Sequence, residues 1–95
     1  MESQIKITLV QVFPIKESHG GKLKAFARVC LADSLQLTGL RVYEGTHGLF
    51  VSYPNDPNYA GEDYKQIFYP VTRELRTHIE ETILTEYFRE IAEGL

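Results

Sequence analysis

The chain has a single cysteine, Cys30, in 95 residues. That excludes an internal disulfide and fits a reducing cytoplasm. No apolar run approaches the roughly 20 residues that cross a bilayer as a helix, so membrane insertion is not expected. The opening residues, MESQIKITLVQVF, have neither a basic start nor a small-residue cleavage site and do not read as a secretion signal. A strong basic excess is also missing. The net charge is −3, and it is unevenly spread. Residues 1–54 carry six Lys/Arg against four Asp/Glu, while residues 55–95 carry four against nine. Any nucleic-acid contact must therefore come from a local patch. Internal repeats and low-complexity tracts are absent.

Chemical motifs are missing too. His19, His47 and His78 include no i, i+4 pair, and Cys30 has no nearby Cys or His, so zinc would need ligands from unrelated segments. Asp56, Asn58 and Gly61 match three positions of a calcium loop, but Ala60 and Ile67 stand where two further ligands belong. Ser52 lies in Phe-Val-Ser-Tyr-Pro, which is no nucleophile elbow, and His47 sits only five residues upstream. Glu80 and Glu81 are helix neighbours that point apart, a poor acid–base pair. No catalytic residue, metal, cofactor or small-molecule substrate is expected.

Periodicity is what the sequence does offer. Ile5, Ile7 and Leu9 alternate with Lys6 and Thr8 as in a half-buried strand that Pro14 limits. Ser18-His19-Gly20-Gly21 reads as a hairpin turn. In the second strand Leu23, Ala25, Ala27, Val29 and Leu31 share one face, with Lys22, Lys24, Phe26, Arg28 and Cys30 on the other. After a turn at Asp33-Ser34, a third strand near Leu35–Tyr43 switches the parity of its apolar residues between Leu37 and Leu40, which predicts a bulge near Gly39. Gly45 and Gly48 bracket a tight connection to a fourth strand, Leu49–Tyr53, and both are expected to use positive φ. Residues 54–63 read as loop, and Tyr64–Tyr69 as a fifth strand before Pro70.

From Thr72 the period lengthens. Leu75, Ile79, Ile83, Tyr87 and Ile91 recur every four residues, with Leu84 and Phe88 beside them. Thr72 is placed to cap the start of this amphipathic helix, and Gly94 to end it. The fold class is α+β: an antiparallel sheet of four to five strands, then one long C-terminal helix, in a single domain over residues 1–95.

The polar face of the second strand interleaves Lys22, Lys24 and Arg28 with Phe26. Such a set contacts phosphates and stacks bases. Alternatively, the cations simply cover a solvated face while Phe26 packs under the helix or against a second subunit. One helix cannot cover both faces of a sheet, and exposed strand edges invite pairing, so a homodimer is expected, with Phe26 and Phe50 as interface aromatics.

Several runs, in order, resemble one bacterial family. They are Leu23-Lys24-Ala25; Gly39-Leu40-Arg41-Val42-Tyr43-Glu44-Gly45; Gly48-Leu49-Phe50-Val51 with Tyr53-Pro54; Tyr64-Lys65-Gln66-Ile67 before Tyr69-Pro70-Val71; and Glu86-Tyr87. Over about Ile5 to Phe88 the chain is similar to the SpoVG family, stage V sporulation protein G or septation proteins. The resemblance implies a small antiparallel sheet with a C-terminal helix, usually as a homodimer. It implies no catalysis and no cofactor, a role in cell division and septum formation, sporulation where the host sporulates, and regulation through binding DNA and in some members RNA. Lys65 matches a basic family position and Arg76 the arginine early in the helix; Arg73 adds a nearby cation. One departure stands out. Where relatives carry a Lys-Arg pair in the loop after the strand-ending proline, this chain has Asn55-Asp56, with Glu62 and Asp63 nearby. Fewer cations there weaken phosphate attraction. The −5 balance of residues 55–95 supports an alternative, a protein-interaction module in septum formation without significant nucleic-acid binding.

Overall fold

The computed structural model describes residues 5–15, 22–56 and 66–94. The predicted turn at Ser18–Gly21 lies outside these residues, as does most of the loop before residue 66. The strands are β1 (Ile7–Pro14), β2 (Leu23–Leu31), β3 (Leu35–Gly45) and β4 (Gly48–Ser52), followed by helix α1 (Arg73–Glu93). They form one antiparallel sheet in the order β1-β2-β3-β4.

Alternation in β2 organises the sheet. Ala25, Ala27, Val29 and Leu31 are buried, and their partners Val42, Leu40 and Leu37 in β3 face the same side. Val12 of β1, Val51 of β4 and Tyr53 just beyond complete that side, and Ile79 and Ile83 of α1 close over it. The helix makes its main sheet contacts with the two outer strands, β1 and β4. Thr72 caps its start, the hydroxyl accepting from the Leu75 N–H at 3.2 Å. At its end the Gly94 N–H donates to the Glu90 carbonyl at 2.9 Å, yet Gly94 stays at φ −80°, so the left-handed freedom of glycine goes unused there. Phe88, expected beside the apolar stripe, is exposed and meets Tyr87 edge-on.

Three irregularities break the ladders. The extra residue is Thr8 in β1, Lys24 in β2, and one between Leu37 and Leu40 in β3. The third is the bulge that the parity switch predicts; Gly39 there has φ +84°, and a Cβ would come within 3.3 Å of Pro54. In the β3–β4 connection only Gly48 takes positive φ, at +115°; Gly45 and His47 do not. The fifth strand is reduced, among the described residues, to a single Asn55–Gln66 bridge and an Ile67 N–H donated to the Pro54 carbonyl at 2.7 Å. Proline lacks an N–H, so Pro54 and Pro70 limit a ladder on this stretch.

Candidate functional site

The sheet face turned away from α1 stays open. Register sets its content. Phe13 of β1 stands opposite Phe26 of β2, which stands opposite Arg41 of β3. Gln11 stands opposite Arg28, and Tyr43 opposite Phe50. Neighbours on one face of paired strands come within about 5 Å of each other at Cβ, close enough for rings and guanidinium groups to meet. The Arg28 guanidinium lies 5.5 Å from the Phe13 ring centre, and its Nε donates to the Gln11 side-chain oxygen. Arg41 lies 5.8 Å from the Phe26 ring and donates to the Tyr43 hydroxyl at 3.4 Å. The Tyr43 and Phe50 rings stack with centres 5.8 Å apart. Two arginines on the central strands thus lie among rings drawn from all four strands, and Phe13, Phe26 and Phe50 keep 49%, 43% and 48% of their surface exposed. Among the described residues neither arginine has a carboxylate partner.

At the β4 end this face runs into an open depression of about 470 Å³ lined by Tyr43, Phe50, Ser52, Asn55 and Gln66. The backbone bridge between Asn55 and Gln66 holds the two amide-bearing residues side by side.

The remaining predicted cations lie elsewhere. Lys22 is exposed just ahead of β2, and its carbonyl accepts from the Glu44 N–H at 2.9 Å. Lys24 sits at the β2 irregularity, and its ammonium is 3.5 Å from the Glu44 carboxylate. Lys65 lies outside the described residues. Arg73 is exposed at the first position of α1. Arg76 is engaged: it lies 5.4 Å from the Tyr53 ring centre, reaches the Pro70 carbonyl at 3.4 Å and approaches Glu80 at 3.8 Å. Tyr53 belongs to the core side of the sheet, so Arg76 and Arg28 serve opposite sides and form no common patch in one chain. Phe26 does not pack under the helix; it lies on the open face.

Tyr53 also carries an unusual hydroxyl. The residue is 2% exposed, and its oxygen has no partner among the described residues. Burial, then the charge of Glu80, opposed by Arg76, pushes the phenol up to about 12. On the outer side of α1, Arg89 is ringed by acids. It bonds Glu86, reaches Glu93 at 3.0 Å and lies 3.5 Å from Glu90. The Arg89 hydrogen bond holds Glu86 below the usual carboxylate range, while the neighbouring Glu86 is the main cause that raises Glu90.

Sequence reasoning finds Phe26 and Arg28 but misses Phe13, Arg41 and Tyr43. The signal for Arg41 was present: beyond the Gly39 bulge its parity opposes that of the buried Leu40 and Val42.

Known proteins resemble the chain over most of its length. The SpoVG family model matches residues 5–89. A protein of Anaeromyxobacter sp. named "Putative septation protein SpoVG" is 39% identical over 90 residues, covering 95% of this chain and 89% of its own. Relatives of the same name in Myxococcus xanthus and Bdellovibrio bacteriovorus are 36% and 34% identical over 87 residues, covering 92% of this chain and 84% and 77% of their own. With the four-stranded sheet and C-terminal helix in place, these matches establish that the chain belongs to the SpoVG family.

Proposed function

We propose that this protein acts in septation as a non-catalytic homodimer that binds nucleic acid, DNA or RNA, through its open sheet face. The observation that carries the reading is the pairing state of Arg28 and Arg41. Both stand among exposed rings and bond only neutral groups among the described residues, so their charge is available to phosphate. Lys22, exposed just ahead of β2, and Arg73, exposed at the start of α1, add further positive charge to the chain. Lys24 is partly neutralised by Glu44, and Arg76 is held by its own ring, carbonyl and carboxylate contacts. Asn55 and Asp56 add no cation, so the expected affinity is modest.

Phe26 and Phe50 are exposed enough for a dimer contact, but they share this face with the arginines. A two-fold interface is self-complementary, so closing this face on its own copy would bury two arginines from each subunit without acids. The outer strands β1 and β4 are the better dimer element, because edge strands present unpaired backbone groups. Sedimentation at micromolar concentration checks the dimer; a monomer overturns it. Fluorescence anisotropy across a salt series checks binding. Each phosphate contact contributes a log–log slope of about −0.7 on single strands and −0.9 on duplex, so Arg41→Ala should flatten the slope by about one contact. Absence of saturable binding at low salt would refute the nucleic-acid reading.

A further inference from the structure

The depression at the β4 end differs in chemistry from the rest of the open face. Among the described residues, its walls are two stacked rings, Tyr43 and Phe50, and its polar groups are the Ser52 hydroxyl and the amides of Asn55 and Gln66. None of these is charged. A phosphate or carboxylate would need cations here, and an aliphatic group would leave three polar side chains unanswered. A flat ring with donors and acceptors on its edge answers both: the rings offer a π-face and the amides each offer donor and acceptor. Arg41, bonded to the Tyr43 hydroxyl, stands at the rim with its charge free of any described carboxylate.

We propose that this depression takes one unpaired nucleobase, so that the open face binds single-stranded nucleic acid and discriminates among bases at that position. The inference rests on the nucleic-acid reading above and adds the strand state and the place of base selection. A duplex keeps its base faces stacked inside and cannot present one to Phe50; a single strand can, with flanking phosphates meeting Arg41 and Arg28. Asn55 then has its own use. It supplies the amide of a base-edge contact at a position where charge would serve only the backbone.

The sequence has no tryptophan, which makes a clean reporter available. Phe50→Trp should keep the stack, and its single indole should be quenched as a short single-stranded oligonucleotide is titrated into the full chain. Phe50→Ala should weaken single-strand binding roughly 5- to 150-fold, the loss of one base–aromatic stack. Asn55→Ala should flatten the preference among oligonucleotides that differ at one base, with a smaller loss of affinity. Duplex of the same sequence should bind more weakly than the single strand. Phe50 is exposed, so the variants should melt near the parent, and circular dichroism checks that. Equal binding of single strand and duplex, with Phe50→Ala unchanged and Arg41→Ala impaired, would overturn the base pocket and leave the nucleic-acid reading standing. No binding by the parent overturns both. A Phe50→Ala protein that sediments as monomer beside a dimeric parent would reassign the depression to self-association and overturn the proposal.

Discussion

Arg28 and Arg41 on the open sheet face and Arg76 and Arg89 on α1 are pairs of arginines used to opposite effect. On the sheet, Arg28 and Arg41 bond an amide and a phenol and lie near rings. On the helix, Arg89 is saturated by Glu86, Glu90 and Glu93, and Arg76 is committed to Glu80, Pro70 and Tyr53. A count of cations treats the two surfaces alike. What differs is who the partners are, and that decides which guanidinium group has charge left for an incoming phosphate.

The contrast depends on α1 staying docked, since the helix keeps the acidic surface away from the open face. Ile83 is fully buried between them. Ile83→Ala should cost about 2–5 kcal/mol, read by urea denaturation, because the methylenes it removes leave a cavity under the helix.

A smaller effect comes from Tyr53, where the two sides of the molecule meet. Its phenol is pushed up to about 12, whereas tyrosine in an unfolded chain ionises near 10. Above about pH 10 the unfolded chain loses a proton that the folded chain keeps. Stability from this group is therefore full below about pH 10 and falls as pH rises toward 12. Tyr53→Phe should remove that alkaline loss. It should also raise stability near neutrality by about 1 kcal/mol, since a buried hydroxyl without a partner is a cost. Denaturation midpoints at neutral and alkaline pH check both.

The smallest expected change sharpens the comparison most. Arg89→Ala removes a full positive charge but should leave nucleic-acid affinity within about twofold and the salt slope unchanged, because that charge is already spoken for. A loss matching that of Arg41→Ala would collapse the distinction between the two surfaces.

The same dependence on partners explains how much was legible beforehand. The helix was readable because Leu75, Ile79 and Ile83 repeat at its period and Thr72 caps it. Strand β2 was readable because its alternation is nearly unbroken, and the β3 bulge because Leu37 and Leu40 have opposite parity. These are local signals. The site is not local: Arg41 meets Phe26, and Arg28 meets Phe13, only in one register, and three inserted residues shift that register. Alternation alone assigns Lys24 to the face of Arg28; the irregularity at Lys24 accompanies a different partner, Glu44. Of the predicted fifth strand, the described residues keep the Asn55–Gln66 bridge and one bond from Ile67 to Pro54, and Pro70, which has no N–H, bounds the stretch.

The β2–β3 turn is held from outside its own hairpin. Ala32 and Asp33 hold φ of 52° and 54°, left-handed values that cost non-glycine residues roughly 1–2 kcal/mol each. The groups that fix them come largely from β1. The Thr8 hydroxyl accepts from the Asp33 N–H at 3.0 Å and donates to the Cys30 carbonyl at 3.2 Å, and the Lys6 carbonyl accepts from the Ala32 N–H at 2.7 Å. A β2–β3 hairpin forming by itself would bear that strain without those bonds. The first strand is therefore part of the turn's support, a clasp that holds a turn more than twenty residues downstream.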